Sequence, residues 1–139
     1  MNWLQENAIT VLLLVGFAVL LVRGPLMAKM AGVEQLNVHD LAKRLASSTP
    51  PLLVDVRTQQ EHSSGYVQQA LLIPLPDLRQ RLDEVKRQAN TRPIAVICRS
   101  GNRSIYGAVM LKRMGVAQQV YNVNGGMLDW QSQGYPVRK

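Results

Sequence analysis

The chain has 139 residues, with 16 lysines and arginines against nine aspartates and glutamates, a net charge of +7 and one cysteine. The basic residues are spread along the chain, aromatic residues make up 5% and no recognition motif is present, so nucleic acid is not expected as a partner. The positive charge serves solubility or attraction to anionic lipid headgroups. Two histidines and one cysteine, far apart in the chain, have no zinc-ligand spacing, and we expect no metal and no other cofactor.

An uninterrupted apolar run extends from residue 8 to residue 22. About fifteen residues at ~1.5 Å each span only ~22 Å of a ~30 Å hydrocarbon core. Trp3 and Leu4 in front and residues 26–28 behind extend the apolar span. We therefore predict a membrane anchor with a short linker over residues 1–30, in contact with the lipid bilayer through residues 8–22. Gly24-Pro25 is expected to break the helix, and residues 27–32 to form the linker.

A cleaved signal peptide and a buried helix are the alternatives to an anchor. A signal peptide normally begins with basic residues, whereas residues 1–7 carry Glu6 and no Lys or Arg, and no clear cleavage site follows. A buried helix of a soluble protein would show a polar face, which this run lacks. Because Arg23 and Lys29 follow the span and no basic residue precedes it, we predict a single-pass protein with its C-terminal domain in the cytoplasm.

Residues 31–139 are predicted to form one domain, since about a hundred residues build one core and not two. Apolar strand-like runs alternate with helical stretches along this part of the chain. The predicted strands are Leu52–Val56, Leu71–Ile73, Ile94–Ile97 and Val120–Val123, and the predicted helices start at the Asn37 cap, cover residues 76–87 and cover Ser104–Met114. This alternation predicts an α/β fold with a parallel sheet covered by helices on both sides.

Polar side chains lie at the C-terminal end of the first of these strands, at the edge where open α/β sheets place their sites. Asp55 and Arg57 are candidates to support a site at this edge. For Arg57, the alternative is a pair with Glu61 in a connecting turn. His62 is predicted to be a surface residue, because nothing in the sequence ties it to the site.

The segment Cys98-Arg99-Ser100-Gly101-Asn102-Arg103-Ser104 joins the strand that ends at Ile97 to the next helix. Backbone amides at a helix start attract negative charge, and two arginines add fixed positive charge. The segment is therefore typical of an anion-binding loop that favours a cysteine thiolate. The alternative for a lone cysteine after an apolar strand is a small buried apolar residue.

The spacing within this loop separates two kinds of anion chemistry. Protein tyrosine phosphatases place five residues between cysteine and arginine, so that the loop wraps a tetrahedral phosphate. Here four residues separate Cys98 from Arg103, and the following Ser104 cannot clamp a phosphate as arginine does. A smaller ring of amides suits one extra sulfur atom on Cys98 better than a phosphate.

The loop resembles the active-site loop of the rhodanese family of sulfurtransferases, Cys-x-x-Gly-x-Arg-Ser/Thr. The resemblance covers about residues 33–138 and includes further family signatures: Val54-Asp55-Val56-Arg57 with Glu61, Gly65-Tyr66-Val67, Ala70-Leu71-Leu72-Ile73-Pro74, Asn124-Gly125-Gly126 with Trp130, and Gly134-Tyr135-Pro136-Val137. Tyr66, Gln69 and Leu72 depart from the usual His, Gly and Asn of the family. These departures lie outside the loop and concern the shape of the substrate site.

The resemblance implies a three-layer α/β/α domain and a double-displacement mechanism. The Cys98 thiolate would take a sulfur from an anionic donor such as thiosulfate, and the resulting persulfide would pass it to cyanide, a thiol or a protein dithiol. The substrate-binding residues implied are Arg99, Ser100, Gly101, Asn102, Arg103 and Ser104.

Each loop residue has an expected part. The amides of residues 99–103 would hold the persulfide sulfur, and Gly101 would let the backbone close around it. Arg99 is expected to attract the donor, and Arg103 to brace the loop. The Ser100 and Ser104 hydroxyls can donate hydrogen bonds, although Ser104 is equally suited to cap the helix.

Two other functions remain open at this point. One is a membrane-tethered sulfur carrier or docking module that passes the Cys98 sulfur only to a specific protein partner. The other is phosphatase or arsenate chemistry on the same fold, against which the four-residue spacing argues.

Overall fold

The computed structural model describes residues 2–139. The chain contains five strands, seven α-helices and one 3-10 segment within these residues. In chain order they are α1 (Trp3–Glu6), α2 (Ala8–Ala31), β1 (Glu34–Leu36), α3 (Val38–Leu45), β2 (Leu52–Asp55), α4 (Gln59–Ser63), β3 (Leu71–Leu72), the 3-10 segment (Leu75–Arg81), α5 (Leu82–Ala89), β4 (Ile94–Ile97), α6 (Asn102–Arg113), β5 (Val120–Val123) and α7 (Gly126–Ser132).

The five strands form one parallel sheet in the order β1-β5-β4-β2-β3, so the predicted α/β class is confirmed. The four predicted strands are present, and β2, β4 and β5 are buried along their whole length. The edge strand β1 was not predicted. Its sequence Glu-Gln-Leu buries only Leu36, so it lacks the apolar run that reveals the central strands.

Helices cover both faces of the sheet, which gives three layers. Because successive strand residues point to opposite faces, Val54 and Val96 pack under α2, α5 and α6, whereas Leu53 and Ala95 pack under α3 and α7. Asn37 caps α3 as predicted, since its side-chain oxygen accepts the Asp40 amide at 2.8 Å. The predicted helix over residues 76–87 divides into the 3-10 segment and α5.

Helix α2 differs from the prediction. It continues through Pro25 to Ala31 and ends at Gly32, whose φ of +80° is left-handed. The predicted break at Gly24-Pro25 and the predicted linker over residues 27–32 are therefore wrong. Proline removes one backbone donor, but burial of Gly24 and Ala28 against the domain stabilises the helix across this point.

The first two-thirds of α2 is apolar and exposed on all sides. The helix of 24 residues is roughly 36 Å long. By length and composition it is able to cross a membrane, a property that signal sequences share.

Candidate functional site

Cys98 is the first residue after β4, and the loop from it to α6 lies at the carboxyl edge of the sheet. Its side chain is completely buried. The Gly101 amide donates to Sγ at 3.2 Å, and the thiol donates to the Ser104 hydroxyl at 3.3 Å. Gly101 adopts φ +95°, and a Cβ there would lie 3.1 Å from the Gly125 nitrogen, so the tight turn requires glycine.

A chain of buried polar groups lies beneath the loop. The Ser104 hydroxyl donates to the Asn122 side-chain oxygen at 2.5 Å. The Asn122 amide donates to the Gly101 carbonyl at 3.2 Å and to the Gln35 side chain at 2.9 Å. Asn122 thus connects the loop to β5 and to the edge strand β1.

These contacts decide between the two expectations for Ser104. Helix α6 begins at Asn102, two residues earlier than predicted, and Gly101 occupies the cap position. Ser104 is therefore inside the helix, where its hydroxyl serves Cys98 and Asn122, and the interpretation as a cap is wrong. Sequence reasoning missed Asn122. A polar residue within the buried run Val120–Val123 was the available signal, because a buried amide needs partners.

Arg103 joins the loop to α4 through a two-point ion pair. Its two terminal nitrogens each lie 2.7 Å from a carboxylate oxygen of Glu61. Glu61 also completes a capping box with Thr58 at the start of α4. Hydrogen bonds from Arg103, more than those from Thr58, lower the pKa of Glu61 to about 2 although burial opposes this, and Glu61 in turn raises the pKa of Arg103.

Replacement of Glu61 by glutamine tests what this ion pair contributes to stability. Since the pKa of Glu61 is lowered from 4.5 to about 2, the pair stabilises the fold fully above pH 4.5 and loses this contribution as the pH falls toward 2. We expect Glu61→Gln to lower the free energy of unfolding by about 1 kcal/mol at neutral pH, because the pair is partly exposed. Urea unfolding should show this difference shrinking in acid.

The control for this experiment is Glu84→Gln, which removes a surface pair with Arg81 that does not contact the loop. Of the two variants, only Glu61→Gln should also slow the reaction of the Cys98 thiol with a sulfur donor, because Glu61 is paired with Arg103 of the loop. A stability difference between wild type and Glu61→Gln that stays constant from neutral pH to pH 2 would contradict the pairing.

Asp55 and Arg57 form a buried pair beside the loop. The Arg57 Nε lies 3.0 Å from Oδ1 of Asp55, and Nη2 lies 2.7 Å from Oδ2. Arg57 also donates to the backbone carbonyls of Glu61 at 3.2 Å and Gly65 at 2.8 Å. The alternative of a side-chain pair between Arg57 and Glu61 is wrong, because the Glu61 carboxylate faces Arg103.

His62 belongs to the same cluster. Its Nδ1 lies 3.1 Å from Oδ2 of Asp55, and its ring stacks on Tyr66 with centroids 4.2 Å apart. Its side chain is only 13% exposed, so the prediction of a surface histidine is wrong. The buried Asp55 carboxylate thus contacts both the Arg57 guanidinium and the His62 ring, an arrangement that depends on the turn between β2 and α4.

The outer rim of the loop is formed by the exposed residues Arg99, Ser100 and Asn102. Arg99 borders a recess of about 200 Å³ that is also lined by Arg57, Glu61 and Leu128. Cys98 lies beneath the loop and does not line this recess. The positive charge of Arg99 makes the recess suitable for an anion. Within residues 2–139 no cluster of histidine, cysteine and acidic residues is suited to a metal ion.

The start of α7 completes the support of the loop. Met127 donates its amide to the Cys98 carbonyl at 2.9 Å, and Leu128 donates to the Arg99 carbonyl at 3.0 Å. Gly126 lies against these carbonyls with φ +54°, and a Cβ on it would be 2.4 Å from the Cys98 oxygen. Gly126 thus allows the start of α7 to pack closely against the loop, and Trp130 of the same helix is buried.

Comparison with known proteins places this geometry in a family. Residues 37–133 match the family of the rhodanese-like domain. The chain belongs to this family. It is 32% identical over 105 residues to a sulfurtransferase of Allochromatium vinosum, covering 76% of this chain and 94% of that protein.

Solved rhodanese-like structures share the fold. A rhodanese-related protein from Thermoplasma volcanium has a TM-score of 0.65 at 30% identity, over 76% of this chain and 97% of that one. A rhodanese-like domain protein from Staphylococcus aureus has a TM-score of 0.66 at 28% identity, over 77% of this chain and 100% of that one. Family membership and these relatives support a general role in sulfur transfer for this rhodanese-like chain.

Proposed function

We propose that the chain is a membrane-anchored sulfurtransferase that moves sulfane sulfur from an anionic donor such as thiosulfate to a thiophilic acceptor through a persulfide on Cys98. The observation that carries this proposal is the position of Cys98 at the base of a loop, with the Gly101 amide donating to Sγ. This amide stabilises negative charge on sulfur.

The reaction takes two displacement steps. In the first, the Cys98 thiolate attacks the outer sulfur of thiosulfate, the sulfur–sulfur bond of the donor breaks, and sulfite leaves with the electron pair. In the second, cyanide, a thiolate or a protein dithiol attacks the outer sulfur of the persulfide and regenerates the Cys98 thiolate. No external oxidant or reductant is needed when the acceptor is cyanide.

The loop residues divide these tasks. Exposed Arg99 attracts the donor, and the amides of residues 99–103 receive the outer sulfur, with Ser100 and Asn102 at the rim. Arg103 positions the loop through Glu61, and Asp55 and Arg57 support the neighbouring turn. Because Cys98 has no exposed surface, the loop has to open before a donor reaches Sγ.

The burial of Cys98 also favours the second candidate, a sulfur carrier whose loop opens on contact with a specific protein partner. A chain that accepts sulfur but turns over slowly with every small acceptor would identify it as a carrier. Phosphatase chemistry is disfavoured, because Arg103 is paired with Glu61 instead of pointing into the loop.

Helix α2 supplies the membrane anchor in this proposal. Its exposed apolar residues 8–22 cross the bilayer, and Arg23 and Lys29 place the rhodanese-like domain in the cytoplasm. The last two turns of α2 pack on the core of the domain. We therefore assign these turns to the domain, so that no separate linker joins the anchor of residues 1–30 to the domain of residues 31–139.

The intact mass of the full chain in detergent tests the persulfide. Incubation with thiosulfate, followed by removal of the donor, should add one sulfur atom, about 32 Da, that cyanide removes. Because Cys98 is the only cysteine, a gain that resists cyanide or survives in Cys98→Ser would contradict the assignment. No gain with thiosulfate, but a gain after incubation with a protein persulfide, would favour the carrier.

A further inference from the structure

Helices α2 and α6 lie side by side and run in the same direction. Leu21 and Gly24 of α2 share a recess with Asn102 and Ile105 at the start of α6. A Cβ on Gly24 would lie 3.6 Å from the Ile105 side chain, and one on Gly32 would lie 3.5 Å from the Lys112 side chain. Residue numbers therefore increase together along both helices.

This direction fixes which end of the domain is near the apolar half of α2. Helix α6 begins at the carboxyl edge of the sheet, directly after the Cys98 loop, and runs back along the sheet. Because α2 is parallel to α6, its residues 8–20 project beyond the carboxyl edge. The loop thus lies level with Leu20 and Leu21, the last turn of the apolar run.

The C-terminal part of α2 packs tightly on the core of the domain. Ala28 is 1% exposed, and Met27 and Ala31 pack on the same core as α6. A helix that is continuous from the apolar run into this core transmits its orientation to the domain, unlike a flexible linker.

The side chains at the carboxyl edge fit a membrane surface. Within residues 32–139 the large exposed apolar or aromatic side chains are Tyr106, Met114 and Leu128, and two of them, Tyr106 and Leu128, lie at this edge. Exposed Arg23 and Arg99 lie at the same level, as expected for contact with anionic headgroups. Tyrosine is enriched at the depth of the headgroups.

From this arrangement we infer that α2 holds the carboxyl edge of the sheet against the lipid headgroup layer, with the Cys98 loop facing the bilayer. The inference rests on the proposed membrane anchor. It means that the loop receives and delivers sulfur within the narrow layer at the membrane surface, so the partner of this edge is the lipid surface itself.

Two labelled variants test the orientation in the full chain. In the Cys98→Ser background, Ser100→Cys places a fluorophore on the loop, and Gln118→Cys places it before β5 at the opposite edge, both at exposed positions. The chain is reconstituted in vesicles of phosphatidylcholine and phosphatidylglycerol, with nitroxide quenchers on the lipid headgroups. Because the 12 residues of α6 separate the two edges by roughly 18 Å, quenching at position 100 should be at least about threefold stronger.

The outcomes separate this inference from the anchor. A chain that fails to float with the vesicles overturns both. A chain that floats, but whose label at position 118 is quenched as strongly as or more strongly than that at position 100, overturns the orientation and leaves the anchor and the sulfur chemistry standing.

A matched pair of glycine variants tests the role of the helix contact. Gly24→Leu inserts a side chain where Ile105 packs, and should remove the difference in quenching between the two labels. Gly16→Leu adds the same side chain where nothing lies within 4 Å, and should leave the difference unchanged. An unchanged difference in Gly24→Leu would show that the contact between α2 and α6 does not orient the domain.

Discussion

Sulfur transfer from thiosulfate to cyanide by a Cys98→Ser variant is expected to fall by at least about 1000-fold, because the nucleophile that carries the sulfur is lost. The loop should persist in this variant. A serine hydroxyl can accept the Gly101 amide and donate to Ser104, as the thiol does, so no buried polar group is left without a partner. We therefore expect a free energy of unfolding within about 1 kcal/mol of wild type.

Steady-state kinetics and urea unfolding of the same preparation check both parts. Activity within tenfold of wild type would contradict the persulfide on Cys98, since no other cysteine is available to replace it. A large loss of stability together with the loss of activity would instead leave the chemical role of Cys98 unproved, and the mass of the wild-type intermediate would then decide it.

Gly126→Ala is expected to give the largest loss of stability of any single methyl addition in the domain. The added Cβ would lie 2.4 Å from the Cys98 oxygen and 2.6 Å from the Arg99 oxygen, both of them backbone atoms that cannot rotate away. Those carbonyls accept the amides of Met127 and Leu128, so relief of the clash breaks hydrogen bonds. With the strain of a left-handed alanine, the cost should reach about 3 kcal/mol or more.

Gly134→Ala is the matched control for this variant. Gly134 has φ +79°, but a Cβ there meets nothing within 4 Å, so the control carries the backbone strain without the clash. We expect it to cost about 1 kcal/mol and to leave sulfur transfer intact, whereas Gly126→Ala should also lose the activity that depends on the loop. Equal melting temperatures for the two variants would show that α7 does not constrain the Cys98 loop.

The central strands could be predicted because each is buried on both faces and is therefore made mainly of apolar residues. Residues 52–55, 94–97 and 120–123 satisfy this condition, with Asp55 and Asn122 as their polar members. Strand β1 does not satisfy this condition, since only its Leu36 is buried. It forms through hydrogen bonds to β5, a partner 87 residues away in the register that joins Glu34 to Tyr121. The path of α2 through Pro25 was mispredicted for a similar reason, since contacts with α6 outweigh the local preference of proline.

The loop itself is a local feature, and its residues could be named from their spacing. Its supports are not local. Glu61 pairs with Arg103 across 42 positions, and Asn122 meets Ser104 across 18. The Glu61 carboxylate faces Arg103 because of how α4 packs beside the loop. In the sequence, Arg57 is much nearer to Glu61 than Arg103 is, and is therefore the alternative partner that the sequence indicates. A buried asparagine in a strand was visible in the sequence, but its partners depend on the register of the sheet.

The hydrogen bond between Gln35 and Asn122 has a consequence for the synthesis of the protein. During synthesis α2 leaves the ribosome long before β5 does. Cys98 then emerges before the asparagine that supports its loop and before Gly126. The thiol is thus present on an unfinished domain until β5 and α7 emerge and complete its surroundings. Release of a chain that stops before residue 120 would leave this cysteine open to oxidation, which makes completion of translation a condition for a protected thiol.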